Sequence, residues 1–508
     1  MSNNVRALGW RVAPLLSVAL ACGDSGGATA SASASATSTL TLPTTLDTSD
    51  SDPPPTTSES ADGTATTAGS MSESQGSSGT EPTTTPTTLS TSTGPVDPTA
   101  ETTATSTTGT SDTTGPDPST SSSTSSTGDE STGPVVCNPG DTMGMGMVEK
   151  SFIWIPSQNQ NDVAKVNTQT LVEVARYRVG PGNENPSRTA VSADGRFVVV
   201  NGRESGRSTM FAANVEDCVD ANNNGTIDTS QGPNDVRPWG ADECVRWTTV
   251  WPTAGGFTNG PRGVTWTPGT FDMNLCKYVN PKVWIGYNSA NPAGGAHFVR
   301  VDGETGVLEE TVVVPGWNGQ GYSPYGGALD PEFRPWFGGL RGEFLRINSD
   351  QNPATVDRWT PDSSVQTYGF TVDKDGDPWF AGCAGPITHF NPDTQTYTAV
   401  PGTNTGNCYR GIAADDNYVW AASNGGCGLM QVDRVTKTMV QFHVPQPCST
   451  AIGVSIDLEK FVWLVDQEGW AWKIDPDNVP AMQQVMVPGS HYVYSDMTGG
   501  QVLSILPQ

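Results

Sequence analysis

A short apolar strand, usually carrying tryptophan, returns seven times along the C-terminal three quarters of this chain. It reads FIWIP from Phe152, FVVVNG from Phe197 (without the tryptophan), VWIG from Val283, PWFGG from Pro335, PWFAG from Pro378, VWAAS from Val419 and VWLVD from Val462. Most copies follow a glycine, an alternating apolar stretch and an aspartate turn, as in YGGALDPEFRPWF, YGFTVDKDGDPWF, YRGIAADDNYVWA and IGVSIDLEKFVWL. Each is followed by two further strands joined through an Asp- or Thr-containing turn, as in ITHFNPDTQTYTAVP and LMQVDRVTKTMVQFHVP, the pattern a hairpin requires. Four short strands per unit at a spacing near forty residues describe a propeller blade. Residues 136–508 are therefore expected to be all-β, a seven-bladed β-propeller. Such strands cannot persist alone and must pack their apolar faces on neighbouring blades. The first unit enters at FIWIP and lacks an innermost strand; the chain end, HYVYSDMTGGQ, is predicted to supply it and close the ring.

The repeat G-x-x-x-D-x-x-G-x-x-W-F, clearest as Gly369, Asp373, Gly376, Trp379 and Phe380, resembles that of the streptogramin (virginiamycin B) lyases. It is similar, more loosely, to the NHL and SMP-30 propellers. The likeness covers residues 148–508 and implies architecture before activity. If it extends to activity, it implies elimination in a cyclic depsipeptide lactone by a His base, a Glu and magnesium, or a lactonase-like reaction. The Glu would follow the Trp-Phe strand. Gly338, Gly339, Ala381, Gly382, Ala422 and Ser423 stand there instead, and the nearest carboxylate is Asp466. His443 and His491 fall in loops of the face where the innermost strands begin, here called the top; His297 and His389 fall on third strands. The one catalytic pair to be drawn is His491 with Asp466. No Ser-His-Asp or Cys-His signature stands beside it, so an interaction module is the leading expectation and a lyase or lactonase the alternative.

The N-terminus sets an address. Arg6 and Arg11 precede an apolar run, Val12 to Ala21, too short to span a bilayer as a helix and expected to be a cleaved signal, residues 1–21. Ala19-Leu20-Ala21-Cys22 resembles a bacterial lipoprotein signal, although Leu stands two rather than three places before the cysteine. The resemblance implies lipidation at Cys22 and anchoring to the cell envelope, at the outer membrane or cell surface. Residues 22–135 are Ser, Thr, Gly, Pro and Ala with fourteen acids, no Lys or Arg and no aromatic residue. Such a segment cannot bury enough apolar surface to offset its ordering entropy and is expected to be a disordered stalk. The whole chain carries a net charge of −27, and stalk and ring are both acidic, which excludes nucleic acid as a partner. A monomer is expected.

Eight further cysteines, an even number, fit export. Cys218 with Cys244, Cys137 with Cys276, Cys383 with Cys408, and Cys427 with Cys448 are expected to face one another. The first two pairs fall on the bottom face and the last two on the top. The Cys218–Cys244 insert contains DANNNGTIDTSQ. Asp220, Asn222, Asn224, Thr226 and Asp228 take positions 1, 3, 5, 7 and 9 of a calcium loop, with Gly225 at position 6. It resembles the loops of EF-hands and dockerins and departs from them at position 12, where Gln231 replaces the bidentate Glu. A weak, structural Ca2+ site is expected, with Asp235 or Glu243 as substitute carboxylates.

Just before the inner-strand glycines, or their counterparts, stand Arg188, Arg262, Tyr325, Tyr368, Arg410 and Ile452. They are expected to ring the mouth of the central channel on the top face, with Trp317, Tyr322 and Tyr409 adding stacking surface. Arginine forks suit carboxylate and phosphate, so the mouth is expected to bind an anionic or glycan-like ligand, unless acids such as Glu184 neutralise it from within.

Overall fold

The computed structural model describes residues 151–505, apart from 274–276 and 291–294. The signal segment, the stalk, Cys22, Cys137 and Cys276, and with them the Cys137–Cys276 pairing, lie outside the described residues.

Every recurrent strand of the sequence is a second strand of a blade: Phe152–Ser157, Phe197–Gly202, Lys282–Asn288, Pro335–Gly338, Pro378–Ala381, Tyr418–Ser423 and Val462–Asp466. Six of the blades are four-stranded antiparallel sheets and the first has three strands, Phe152–Ser157, Asp162–Asn167 and Val172–Arg178. The inner strands of blades two to seven, from Pro186–Val191 to Ala451–Ile456, pack side by side around the axis. Their glycines allow that approach. A Cβ on Gly411 would meet the Ile452 carbonyl at 2.6 Å, and one on Gly453 would meet the Val493 carbonyl at 2.6 Å.

The aspartate of the repeat has a defined task. In blades four to seven, Asp330, Asp373, Asp415 and Asp457 accept the indole N–H of Trp336, Trp379, Trp420 and Trp463 at 2.9, 2.9, 2.6 and 2.8 Å. The other carboxylate oxygen of each takes two backbone N–H groups of its own turn, for example Glu459 and Phe461 at Asp457. One side chain thus shapes the hairpin and satisfies a fully buried indole. Each indole contributes about 2–3 kcal/mol through burial, and an orphaned indole N–H would cost about 1–3 kcal/mol of that.

The tail closes the ring as expected, but not as a regular strand. It meets blade one at an isolated bridge, Ser157 to His491, and through Trp154 N–H to the Met497 carbonyl at 2.9 Å and Gln158 N–H to Ser490 at 3.0 Å. Pro156 lies between those donors and has no N–H. Opposite it the tail bulges. On its outer flank Ser187 and Thr189 of blade two donate to the carbonyls of Tyr492 and Asp496 at 2.9 and 3.0 Å. On the inner flank Met497 N–H donates to Ser455 of blade seven at 3.1 Å. A six-residue helix, Gly500–Ile505, follows and packs against inner strands, with Gln501 donating to the Leu329 carbonyl at 2.8 Å. The sequence reading missed this helix, and also the small hairpin Thr270–Asp272 with Lys277–Val279 in blade three.

Asp496 lines a cavity of about 20 Å3 with Thr371, Ser455 and Gln501. Burial pushes its carboxyl up to about 6, against hydrogen bonds from Thr498, Gly499 and Ser455. A carboxyl raised in the folded state lends stability that is fully present below about pH 4 and lost as the pH rises through about 6. Asp496→Asn keeps the acceptor oxygen and removes the charge. It should match the parent near pH 4 and exceed it by on the order of 2–3 kcal/mol at about pH 7.5 in urea titrations. Asp457→Ala, which strands the Trp463 indole and two turn N–H groups, should lower the unfolding free energy by about 3 kcal/mol at neutral pH in the same assay.

Candidate functional site

Blade-to-blade loops and inner strands bring the expected top-face residues together, but inside the ring rather than around an open mouth. Arg188, Arg262 and Tyr325 are 0 % exposed, and Tyr368 and Arg410 are 5 % exposed. The physical reason is the tail. Tyr492 and Tyr494 alternate with Val493, so both rings turn to the axis while Val493 enters the core between blades one and seven. Their hydroxyls join those of Tyr325 and Tyr368: Tyr494 donates to Tyr325 at 2.8 Å, Tyr325 and Tyr492 lie 3.2 Å apart, and Tyr368 bonds Tyr492.

Guanidinium groups surround this knot. Arg188 stacks on Tyr494 at 3.4 Å and on Tyr325 at 4.8 Å. Arg262 lies over Phe257, Tyr322 and Tyr325 at 4.8, 5.3 and 5.4 Å. Arg410 lies 5.9 Å from the Tyr368 ring and 5.8 Å from Tyr492. A further one, Arg203, was missed in the sequence; it is 0 % exposed and sits over Phe257 at 4.5 Å and Tyr492 at 4.6 Å. It follows FVVVNG directly, where the other second strands are followed by the uncharged Gln158, Ser289, Gly339, Gly382, Asn424 and Gln467, and that departure was the available signal. Half-buried Phe257 and Tyr322 lie against the cluster.

The described residues answer Arg188, Arg203 and Arg262 with neutral groups. Arg188 donates to the Tyr325 carbonyl and Ser187; Arg203 to Gln158 and Asn185; Arg262 to the Thr258 carbonyl and Ser323. Among the described residues no carboxylate pairs with Arg188, Arg203 or Arg262. Glu184, the acid expected to do so, faces Arg207 at 3.5 Å instead. Burial, and then the neighbouring Arg262 charge, push the Arg203 guanidinium below its ordinary pKa. Cation–π contacts return about 0.5–2 kcal/mol each. Enclosing an unpaired ion costs several kcal/mol. The aromatic rings therefore offset only part of the cost of three enclosed cations.

The remaining expected residues fall elsewhere. Trp317 packs edge-on against Phe298 at 5.6 Å in the contact between blades three and four, away from the axis. Tyr409 is buried in an inner strand. His491 and Asp466 do not form a base–carboxylate pair. His491 is 0 % exposed, with Nε2 at 2.8 Å from the Val487 carbonyl and Nδ1 at 3.1 Å from the Pro156 carbonyl and 3.4 Å from the Ser157 hydroxyl. Burial lowers its pKa. Asp466 accepts the backbone N–H groups of Ser449, Thr450 and Glu468. Both residues shape loops; the His–carboxylate contact among the described residues is His389 Nε2 to Asp377 at 2.7 Å, in blade five.

Three disulfides have the expected partners: Cys218–Cys244, Cys383–Cys408 and Cys427–Cys448. The first closes the insert of blade two, between the strands Arg207–Ala212 and Val245–Val250. Within it Asp220 accepts the N–H groups of Asn224 and Gly225 at 3.1 and 2.9 Å. Asn222 and Asn224 each donate an amide N–H to Asp228 at 2.9 Å, and the Thr226 hydroxyl donates to the Asn224 side-chain oxygen Oδ1. Glu243 spends its oxygens on the N–H groups of Ala221, Asn222 and Asp228, and Asp235 takes that of Gln231. The residues of the expected calcium loop are thus gathered in one loop. Offering the amide oxygens to a cation requires both Asn side chains to turn over.

No protein-family model matches the chain, and no curated protein does. Solved structures do. Virginiamycin B lyase from Staphylococcus aureus is 14 % identical over 60 % of this chain and 85 % of its own, with a TM-score of 0.42. Apo AztD from Citrobacter koseri is 13 % identical over 68 % and 96 %, with a TM-score of 0.41. A protein from Lactobacillus plantarum is 14 % identical over 68 % and 98 %, with a TM-score of 0.44.

Proposed function

We propose that this chain is an envelope- or surface-displayed propeller, lipid-anchored through Cys22, that works as a ligand-binding module for an anionic partner. The ligand is held by the axial arginine–tyrosine cluster, and the ring is a rigid mount rather than a catalyst. The observation that carries the reading is the enclosure of Arg188, Arg203 and Arg262 with tyrosines and neutral acceptors but, among the described residues, no carboxylate. Buried charge is ordinarily paired, and an anionic ligand supplies the missing partner. The Cys218–Cys244 insert, on the opposite face, belongs to the same proposal as a structural Ca2+ loop held by Asp220, Asn222, Asn224, Thr226 and Asp228.

Two measurements test this. Thermal unfolding of the oxidised full chain is followed with carboxylates, phosphoesters, acidic oligosaccharides and their neutral analogues at constant ionic strength. A ligand at a hundred times its Kd stabilises the fold by about 2.7 kcal/mol. The anionic members should raise the Tm and the neutral ones should not, with the effect lost in Arg262→Ala. Equal shifts from neutral analogues would sink the reading. For the insert, calcium at about ten times a millimolar Kd should raise the Tm by about 2 °C over EGTA. Asp220→Ala should abolish that rise; no calcium effect on the parent removes the ion from the proposal.

A further inference from the structure

The anion-binding reading leaves the ligand's chemistry open, and the cluster narrows it. Arg188 Nη2, Arg203 Nη1, and Arg262 Nε and Nη2 are buried donors with no acceptor among the described residues. They are held in one neighbourhood by shared rings. Arg203 and Arg262 both lie over Phe257, Arg188 and Arg262 both lie over Tyr325, and Arg188 and Arg203 both lie near Tyr492. Arg410 adjoins them through Tyr492.

We infer that this is the seat of a compact tetrahedral oxyanion, a phosphate or sulfate group, with Arg203 as a binding residue beside Arg188 and Arg262. The inference rests on the anion-binding reading and sharpens it. Charge favours it, since three enclosed guanidiniums leave a monocarboxylate outnumbered, whereas phosphate brings close to two negative charges at neutral pH. Geometry favours it too. The four donor nitrogens come from three side chains on different strands and loops. A carboxylate offers two oxygens in one plane, but a tetrahedral oxyanion offers acceptors out of plane, each able to take a guanidinium fork. Enclosure excludes a long glycan: the three arginines have no exposed surface along which a sugar chain could lie.

The test uses the oxidised full chain, purified without phosphate or sulfate. Inorganic phosphate, inorganic sulfate, glycerol phosphate, acetate and a glucuronate oligosaccharide are each titrated at fixed ionic strength, by calorimetry and by thermal unfolding. Anions released on denaturing the chain are measured by ion chromatography. Phosphate or sulfate should bind one per chain, or be released one per chain, at least tenfold more tightly than acetate. Glycerol phosphate matching phosphate would identify the natural ligand as a phosphomonoester; weaker binding would identify the free ion. Arg203→Met should weaken binding by thirtyfold or more. Arg203→Lys, which keeps the charge and loses the fork, should weaken it about tenfold and serves if the methionine variant fails to fold. Acetate or glucuronate binding as well as phosphate, and lost in Arg262→Ala, would overturn the oxyanion seat and leave the anion-binding reading standing. No anion bound or released, with tyrosinate absorbance at neutral pH, would overturn both, because a tyrosine of the knot would then be the counter-charge.

Discussion

The ring stands on a hydrogen bond between a buried aspartate and a buried indole. In four successive blades the aspartate lies at the end of the inner strand and the tryptophan on the second strand. The carboxylate orders the turn with one oxygen and receives the indole with the other. The tryptophan can then sit wholly inside the sheet stack without an unmet donor. Blades four to seven each pack on the next blade through such side chains, so there the bond that shapes one hairpin also sets the surface the next blade needs. Arg434 of blade six reaches Asp373 of blade five at 3.4 Å, which ties one such aspartate to the following blade.

A ring of blades must also be closed, and here one segment does this and more. Residues 490–499 complete blade one on one side and touch blades two and seven on the others. The same strand alternation that sends Val493 and Met497 into the core sends Tyr492 and Tyr494 to the axis. Closure therefore fills the channel. The helix Gly500–Ile505 then packs on the inner strands together with Leu329 and Ala193. In most of the chain acid outweighs base, yet on the axis the balance reverses. That reversal is sealed off from the solvent that would otherwise screen it, which makes the cluster a chemically distinct place in the molecule.

The disulfides and the acid-bearing loops reinforce the frame. Cys383–Cys408 and Cys427–Cys448 each tie a loop within a blade to the strand connection leading to the next. Asp466, beside the second of these, fixes the loop start through three backbone N–H groups. His491 spends its ring nitrogens on the carbonyls of Val487 and Pro156, with the Ser157 hydroxyl beside the second. These residues carry the chemical types of a catalytic pair, and the fold uses both for backbone satisfaction.

The blades were legible because their cause is local. A strand needs alternation, a hairpin needs its turn residue, and an aspartate six places before a tryptophan, as in Asp373 and Trp379, carries its partner in the same short stretch. Counting strands put the cysteines of each expected pair on one face, and the three bonds themselves are given by the tertiary structure. Even the closing role of the tail could be read, from what the first blade lacks. The bulge opposite Pro156, the burial of Arg188 and Arg262, and the place of Arg203 and Phe257 could not. Those depend on which rings meet on the axis after seven blades have closed, and residues as far apart in sequence as Arg188, Tyr325 and Tyr494 meet there only then. The sequence by itself determined the blades and their order, because each is specified by contacts a few residues away. Only the tertiary structure decided that the arginines lie sealed among tyrosines rather than open at a mouth, because desolvation is a property of the closed ring and of no single segment.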